Sequence, residues 1–122
     1  LIDVPGQLTI GSLDKPDVHT STATGSGVDV SGLEGSIAIT LDIGTVGGTA
    51  PTLDAKIQDS ADNSTFADVT GATFVQAVAT TLETISLDTR STDKWIRAIQ
   101  TIAGTSPTFG SGITYAGRAK VS

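Results

Sequence analysis

Apolar and polar residues alternate most regularly over Ile37, Ile39, Leu41 and Ile43, with Ser36, Ala38, Thr40 and Asp42 between them. A period of two predicts a half-buried strand with one apolar face. Leu53, Ala55 and Ile57 alternate with Asp54, Lys56 and Gln58 and predict a second strand. Shorter alternating runs predict strands at Gln7–Ile10, Val28–Val30, Thr65–Val69 and Thr84–Leu87. A last strand holds Ile113 and Tyr115, with Thr114, Ala116, Arg118 and Lys120 on its other face. Over 94–102 both faces are apolar, Ile96, Ala98 and Ile102 on one and Trp95 and Ile99 on the other. That pattern fits a central strand, or one whose outer face meets a partner. The stretch 72–82 fits two patterns. Phe74, Val78 and Leu82 recur at helical spacing, while the β-branched residues around them favour extended chain.

One segment occurs twice. Val46-Gly47-Gly48-Thr49-Ala50-Pro51-Thr52-Leu53 returns as Ile102-Ala103-Gly104-Thr105-Ser106-Pro107-Thr108-Phe109. Gly supplies backbone conformations denied to other residues, and Pro fixes φ and removes a ladder donor. We therefore expect each copy to be the turn of a β-hairpin, joining strands of two similar half-domains. About eight short strands separated by turns predict an all-β, single-domain β-sandwich of jelly-roll type. Residues 1–27 are weakly patterned and are expected as an extended N-terminal arm, with the sandwich over 28–122. Such an arm is either poorly ordered or ordered against a neighbouring subunit.

Composition agrees with this reading. The chain of 122 residues is rich in Thr, Gly and Ser and holds 14 Gly but no Cys or Met. Packing alone must hold it, since disulfides and thiolate metal sites are excluded. The net charge of −6 argues against a nucleic-acid backbone as partner and favours a basic or mixed-charge one. No apolar run approaches the ~20 residues of a helical membrane span, and no basic-then-apolar signal opens the chain, so no membrane partner is expected. Leu rather than Met at the first position leads us to expect processing or a preceding segment.

Candidate chemistry is sparse. His19 is the sole histidine and sits in the weakly patterned region, so it reads as a surface residue, not a catalytic base or zinc ligand. Asp59, Asp62 and Asn63 resemble a calcium loop in composition, but lack the EF-hand order; the simpler reading is a turn bonding its own backbone. Glu34 and Glu83 have no spacing that sets them across one glycosidic bond. The Gly-rich stretches lack the Lys and helix of a phosphate loop. We expect no enzyme, no cofactor and no metal. Trp95 reads either as a core residue or as an interface or sugar-stacking anchor with Arg97 beside it. Arg90, Arg97, Arg118 and His19 complete the interface candidates.

Several segments carry a resemblance. Val28–Gly35, Gly47–Gln58, Asp59–Val69 and Lys94-Trp95-Ile96-Arg97-Ala98 together resemble small β-rich structural proteins of tailed bacteriophages and prophages, across about residues 25–120. The resemblance implies a virion component, in the first place a head decoration (cement) protein. Such a subunit sits outside the capsid and bridges capsomers of the major capsid protein, often as a trimer. It implies no defined set of site residues. Another virion part, in the tail or head completion, and a carbohydrate-binding module using Trp95 and Tyr115 are the alternatives.

Overall fold

The computed structural model describes residues 8–120. Seven antiparallel strands form one continuous sheet: β1 (Leu8–His19), β2 (Ala23–Thr24), β3 (Val28–Asp29), β4 (Leu33–Ser60), β5 (Ala67–Thr73), β6 (Thr81–Asp88) and β7 (Trp95–Ala119). A 3₁₀ turn, Thr89–Ser91, precedes β7. β4 and β7 pair along almost their whole length, from Leu33 opposite Ala119 to Ser60 opposite Trp95.

These two long strands each bend back on themselves. Ser111 Oγ lies 2.6 Å from Gln100 Oε1, although eleven extended residues would separate them by about 36 Å. The bend falls in the twin segment. Register shifts lie between Ile43 and Val46, Gly47 and Thr49, and Thr49 and Thr52. Gly48 and Gly104 take positive φ, as do Ala50 and Ser106. The two glycines are also pressed against the opposite copy. A Cβ on Gly48 would lie 2.5 Å from Ser106 O, and one on Gly104 2.9 Å from Ala50 O.

The twin segments are therefore not hairpin turns. They are two bulged corners that cross each other, Val46 opposite Phe109, Thr49 opposite Thr105 and Leu53 opposite Ile102. Gly and Pro were rightly read as breaks in strand geometry. What alternation along one chain cannot show is that the ladder continues across the break with a partner bent in the same way.

The corners divide the sheet into two leaflets. The first holds β1, β7 after its corner, β4 before its corner, and β6, in that order. The second holds β2 and β3 at one edge, β7 before its corner, β4 after its corner, and β5. Counted as eight strands in chain order, with β2 and β3 as one, the leaflets read 1-8-3-6 and 2-7-4-5. This is the jelly-roll order expected from the sequence. It is also internally two-fold. Residues 8–60 and 67–119 each supply an edge strand, a second edge strand and a long bent strand, and each repeat's edge strands pair with the long strand of the other.

One core fills the sandwich. Ile37, Ile39, Leu41, Ile43, Phe109 and Ile113 from the first leaflet join Leu53, Ala55, Ile57, Ile96, Ala98 and Ile102 from the second. A few polar groups cross it. Gln100 is fully buried, accepts from Ser111 Oγ and donates to Asp14 Oδ2. Burial is tolerable because its amide is satisfied at both ends.

The expected arm changes most. Residues 8–19 are extended, but they form the first strand of the jelly roll, with Leu13 in the core and His19 opposite Phe109. The boundary at residue 27 therefore separates no arm from the sandwich among the described residues; 1–7 lie outside them. A bulge explains why periodicity reached only the start of this strand, in the run expected at Gln7–Ile10. Register shifts between Ser12 and Asp17 lift Lys15 and Pro16 out and break the alternation. The 72–82 stretch contains no helix. Its first residues end β5, Ala77 bridges to Leu53, and β6 begins at Thr81.

Candidate functional site: two outer faces and a groove

The five residues expected at an interface do not converge. Trp95 and Arg97 share the outer face of the second leaflet. Arg90 lies on the 3₁₀ turn, Arg118 on the outer face of the first leaflet, and His19 inside.

His19 is not a surface residue. Its side chain is 14% exposed, and Nε2 is buried without a hydrogen-bond partner, 3.8 Å from Asp14 Oδ2. His19 closes β1 in register opposite the buried Phe109, which puts its ring on the inner side of the strand. Little of the ring is therefore left to present to a partner.

Trp95 is half-buried on the outer face, outside the core. The alternation that places Ile96, Ala98, Gln100 and Ile102 inward puts Trp95, Arg97 and Ile99 outward. The chain itself covers much of this face. Lys94 Nζ stands 5.7 Å from the Trp95 ring centre and 3.7 Å from Asp29 Oδ2. The Arg97 guanidinium lies 4.1 Å from the centre of the Phe66 ring, and its Nε donates to Gln58 Oε1 at 2.9 Å. Gln58 Nε2 and Lys56 Nζ both donate to Asp68. These bonds, Gln58 first and Lys56 second, hold the Asp68 carboxyl below the ordinary aspartate value.

The loop over this face is tied by Asp62. Its Oδ1 accepts from Ser60 Oγ and from the backbone N–H groups of Ser64 and Thr65. Those backbone bonds lower its pKa. The carboxylate is turned onto its own loop, which is the simpler of the two readings of this sequence. Among the described residues, no group of three or more His, Cys, Asp or Glu is arranged to hold a metal ion.

The outer face of the first leaflet differs in every respect. Its rows run across four strands: Ile10, Ala116, Ala38, Ser86, and then Ser12, Thr114, Thr40, Thr84. These two central rows carry no charge. Thr40 and Thr84 hydroxyls are 2.9 Å apart. Large apolar side chains flank the rows on both free edges: Leu8 (63% exposed) and Ile10 (69%) on β1, Leu82 (73%) on β6. Val75 and Val78, just before β6, are exposed as well. Charges stand only at the ends, with Arg118 opposite Leu8 and Glu34, and Asp42 opposite Leu82. Neither Arg118 nor Asp42 has a side-chain partner among the described residues.

Two concavities complete the surface. A groove of about 600 Å³ opens at the end remote from the corners, between residues 30–35 and 89–94, the same connection in the two repeats. Arg90, Lys94 and Lys120 line it, but Arg90 is bound to Asp88 and Lys94 to Asp29. The Arg90 bonds lower the pKa of Asp88 and raise that of Arg90 itself. A trough of about 450 Å³ lies on the first leaflet, walled by Pro16, Asp17 and Val18 and floored by Thr40, Gly112 and Thr114.

Sequence reasoning reached the second-leaflet face through Trp95 and Arg97. It missed the first-leaflet face, whose residues are mostly small and uncharged and lie on four strands far apart in the chain. The one local signal was the exposed side of the 36–43 alternation, Ser36, Ala38, Thr40 and Asp42, which is unusually poor in charge. No protein-family model and no curated protein matches the chain.

Proposed function

We propose that the protein is a structural subunit of a tailed-phage or prophage virion, a decoration (cement) protein that binds outside the head and bridges capsomers of the major capsid protein. The observation that carries this reading is the first-leaflet outer face. It is a broad, uncharged, four-stranded surface with exposed Leu8, Ile10 and Leu82 on two unpaired edges. The β1 edge is blunted by its bulge and by Lys15 and Pro16 only beyond Ser12, so the stretch that carries Leu8 and Ile10 stays open, as does β6. Large exposed apolar side chains bordering uncharged rows suit a contact with another protein.

A subunit that binds only the assembled lattice stabilises that lattice by mass action. Many copies set around symmetry axes add avidity, and a trimer at each local three-fold suits this role. The chemistry asked of the subunit is adhesion. A tail or head-completion subunit would use the same face with a different lattice. The carbohydrate-binding alternative has less support. Tyr115 packs against the core on the inner side of the first leaflet and Trp95 lies on the outer side of the second, so the pair forms no common platform.

Electron microscopy of intact particles tests the assignment. Copies at every equivalent lattice position on the head support decoration. Copies confined to the tail or one vertex favour the other virion roles, and absence from particles overturns both. Deleting residues 1–24 is not a usable probe of contact, because it removes β1 and β2 from the fold. Replacing Ile10 and Leu82 by Lys leaves the core intact and is the appropriate one: occupancy of the head should fall sharply.

A further inference from the structure

β1 is attached to the sandwich less firmly than its place in the fold suggests. Among the described residues it pairs with β7 alone, at the edge of the first leaflet, and Leu13 is its one core side chain. Its other inward tie is polar. Asp14 accepts from the buried Gln100 amide, and the nearby His19 Nε2 is buried without a partner. Thr20, Ser21 and Thr22 alone carry the chain from His19 in the first leaflet to Ala23 in the second, and all three are exposed. Packed sheets stand about 10 Å apart, while four extended peptide steps reach only about 14 Å. The link is therefore close to taut. Its two-fold equivalent, the link from β5 to β6 over 74–80, is built differently. It is longer, buries Phe74 and Ala77, and bonds Ala55 and Leu53 of β4 through backbone groups. One repeat stitches its edge strand down; the other holds it by three exposed residues.

We propose that this taut link makes β1 an exchangeable strand: two copies of the chain trade it, and each completes the first leaflet of the other. The inference concerns the chain in solution and does not rest on the virion reading. Lifting β1 away bares the β7 ladder from Phe109 to Arg118, opens a hole at Leu13 and leaves Gln100 without its carboxylate. Unpaired ladder groups and a vacated core site are costly, so the gap has to be refilled. The segment that fits it in register, in apolar side chain and in carboxylate is β1 itself, which commits the occupant to a second copy. Exchange remakes each of these contacts. Only the link changes, running straight to the neighbour instead of crossing between leaflets. Short links under strain favour that outcome, and a reciprocal two-fold pair leaves no open end.

The chain has no cysteine, so an engineered pair reports on the strand without background. Ser12 and Thr114 are register partners across β1 and β7 on the exposed outer face. The full chain carrying Ser12→Cys/Thr114→Cys is made in a heavy-isotope and a light form. The two are mixed under reducing conditions, held just below the melting temperature so that strands can exchange, and oxidised over a series of concentrations. Exchange gives disulfides between positions 12 and 114 that join a heavy to a light peptide, in a covalent dimer without free thiols. The dimer-to-monomer ratio should rise about tenfold for each tenfold rise in free monomer. Disulfides that join peptides of one isotope only, at every concentration, overturn the proposal. Ile10→Cys/Ala116→Cys, one row along, gives the same readout, and an unchanged thermal melt of the reduced protein confirms that each variant is folded.

A second arm tests the link. Inserting Gly-Ser-Gly-Ser between Ser21 and Thr22 removes the tension and leaves the bond from Ile102 N–H to Thr22 Oγ1 in place. With the same cysteine pair, the covalent dimer should then fall about tenfold or more in favour of the disulfide within one chain. Undiminished exchange in the lengthened chain overturns the proposal, since the taut link is what drives it.

Discussion

The two outer faces of this sandwich are built on equivalent strands and have opposite fates. On the second leaflet, Arg97, Lys56, Gln58 and Asp68 bond one another, and Phe66 is folded down onto Arg97 by a loop that Asp62 fastens. On the first, the central rows are Ala, Ser and Thr, the flanks are exposed Leu and Ile, and Arg118 and Asp42 lack partners among the described residues. The difference shows that a two-fold scaffold need not be two-fold in use. The 61–66 loop that links the repeats covers one face, while the matching face is left bare. Internal bonds make the covered face a contributor to stability. The bare face has few such bonds, and on the reading proposed above its composition answers to the partner it meets.

The largest expected effect tests the shared scaffold. Gly48→Val and Gly104→Val should each destabilise the protein by about 3 kcal/mol or more, since a side chain there faces both a strained positive φ and the opposing backbone. Urea unfolding should give similar losses at the two sites. A large effect at one and a negligible effect at the other would break the two-fold comparison at its root.

Next comes the contrast between the faces. Phe66→Ala should cost about 1–2 kcal/mol in the isolated protein, through the lost Arg97 contact and partial burial. Leu82→Ala and Ile10→Ala should stay within about 0.5 kcal/mol of wild type. Equal losses on both faces would mean that the bare face supports its own fold after all.

The smallest effect is a pH dependence of the covered face. Asp68 and Asp62 have folded pKa values below their ordinary ones, so the unfolded chain takes up their protons first as pH falls. Their stabilisation is present above the ordinary aspartate range and is lost as pH drops through it toward the lowered values. Hydrogen exchange of the 61–68 backbone should therefore quicken on acidification, relative to the amides of residues 37–41 in β4. D68N should flatten that response in its half of the loop.

Much of this architecture was legible in local pattern. Strict alternation placed Ile37–Ile43 and Leu53–Ile57 in strands with the correct inward residues, because burial on one side of a pleat imposes a period of two. The repeated Gly-Thr-x-Pro-Thr segment marked two equivalent places, and turn-rich composition pointed to a jelly roll. Its role was misread because a bulged corner and a hairpin turn need the same residues; only the partner strand distinguishes them. Most of β1 was not recognised because its bulge interrupts alternation, and of the two readings of Trp95 the core one, which rested on its size, does not hold.

The sequence by itself thus determined the secondary structure class, the inward face of the best strands and the positions where the backbone must bend. Those depend on neighbours within a few residues. Tertiary structure alone decided which loop covers which face, that His19 stands opposite Phe109 with its ring near Asp14, and that Asp42 lines one trough with glycines 44, 110 and 112. Such juxtapositions depend on register between strands distant in the chain, and no local periodicity encodes register.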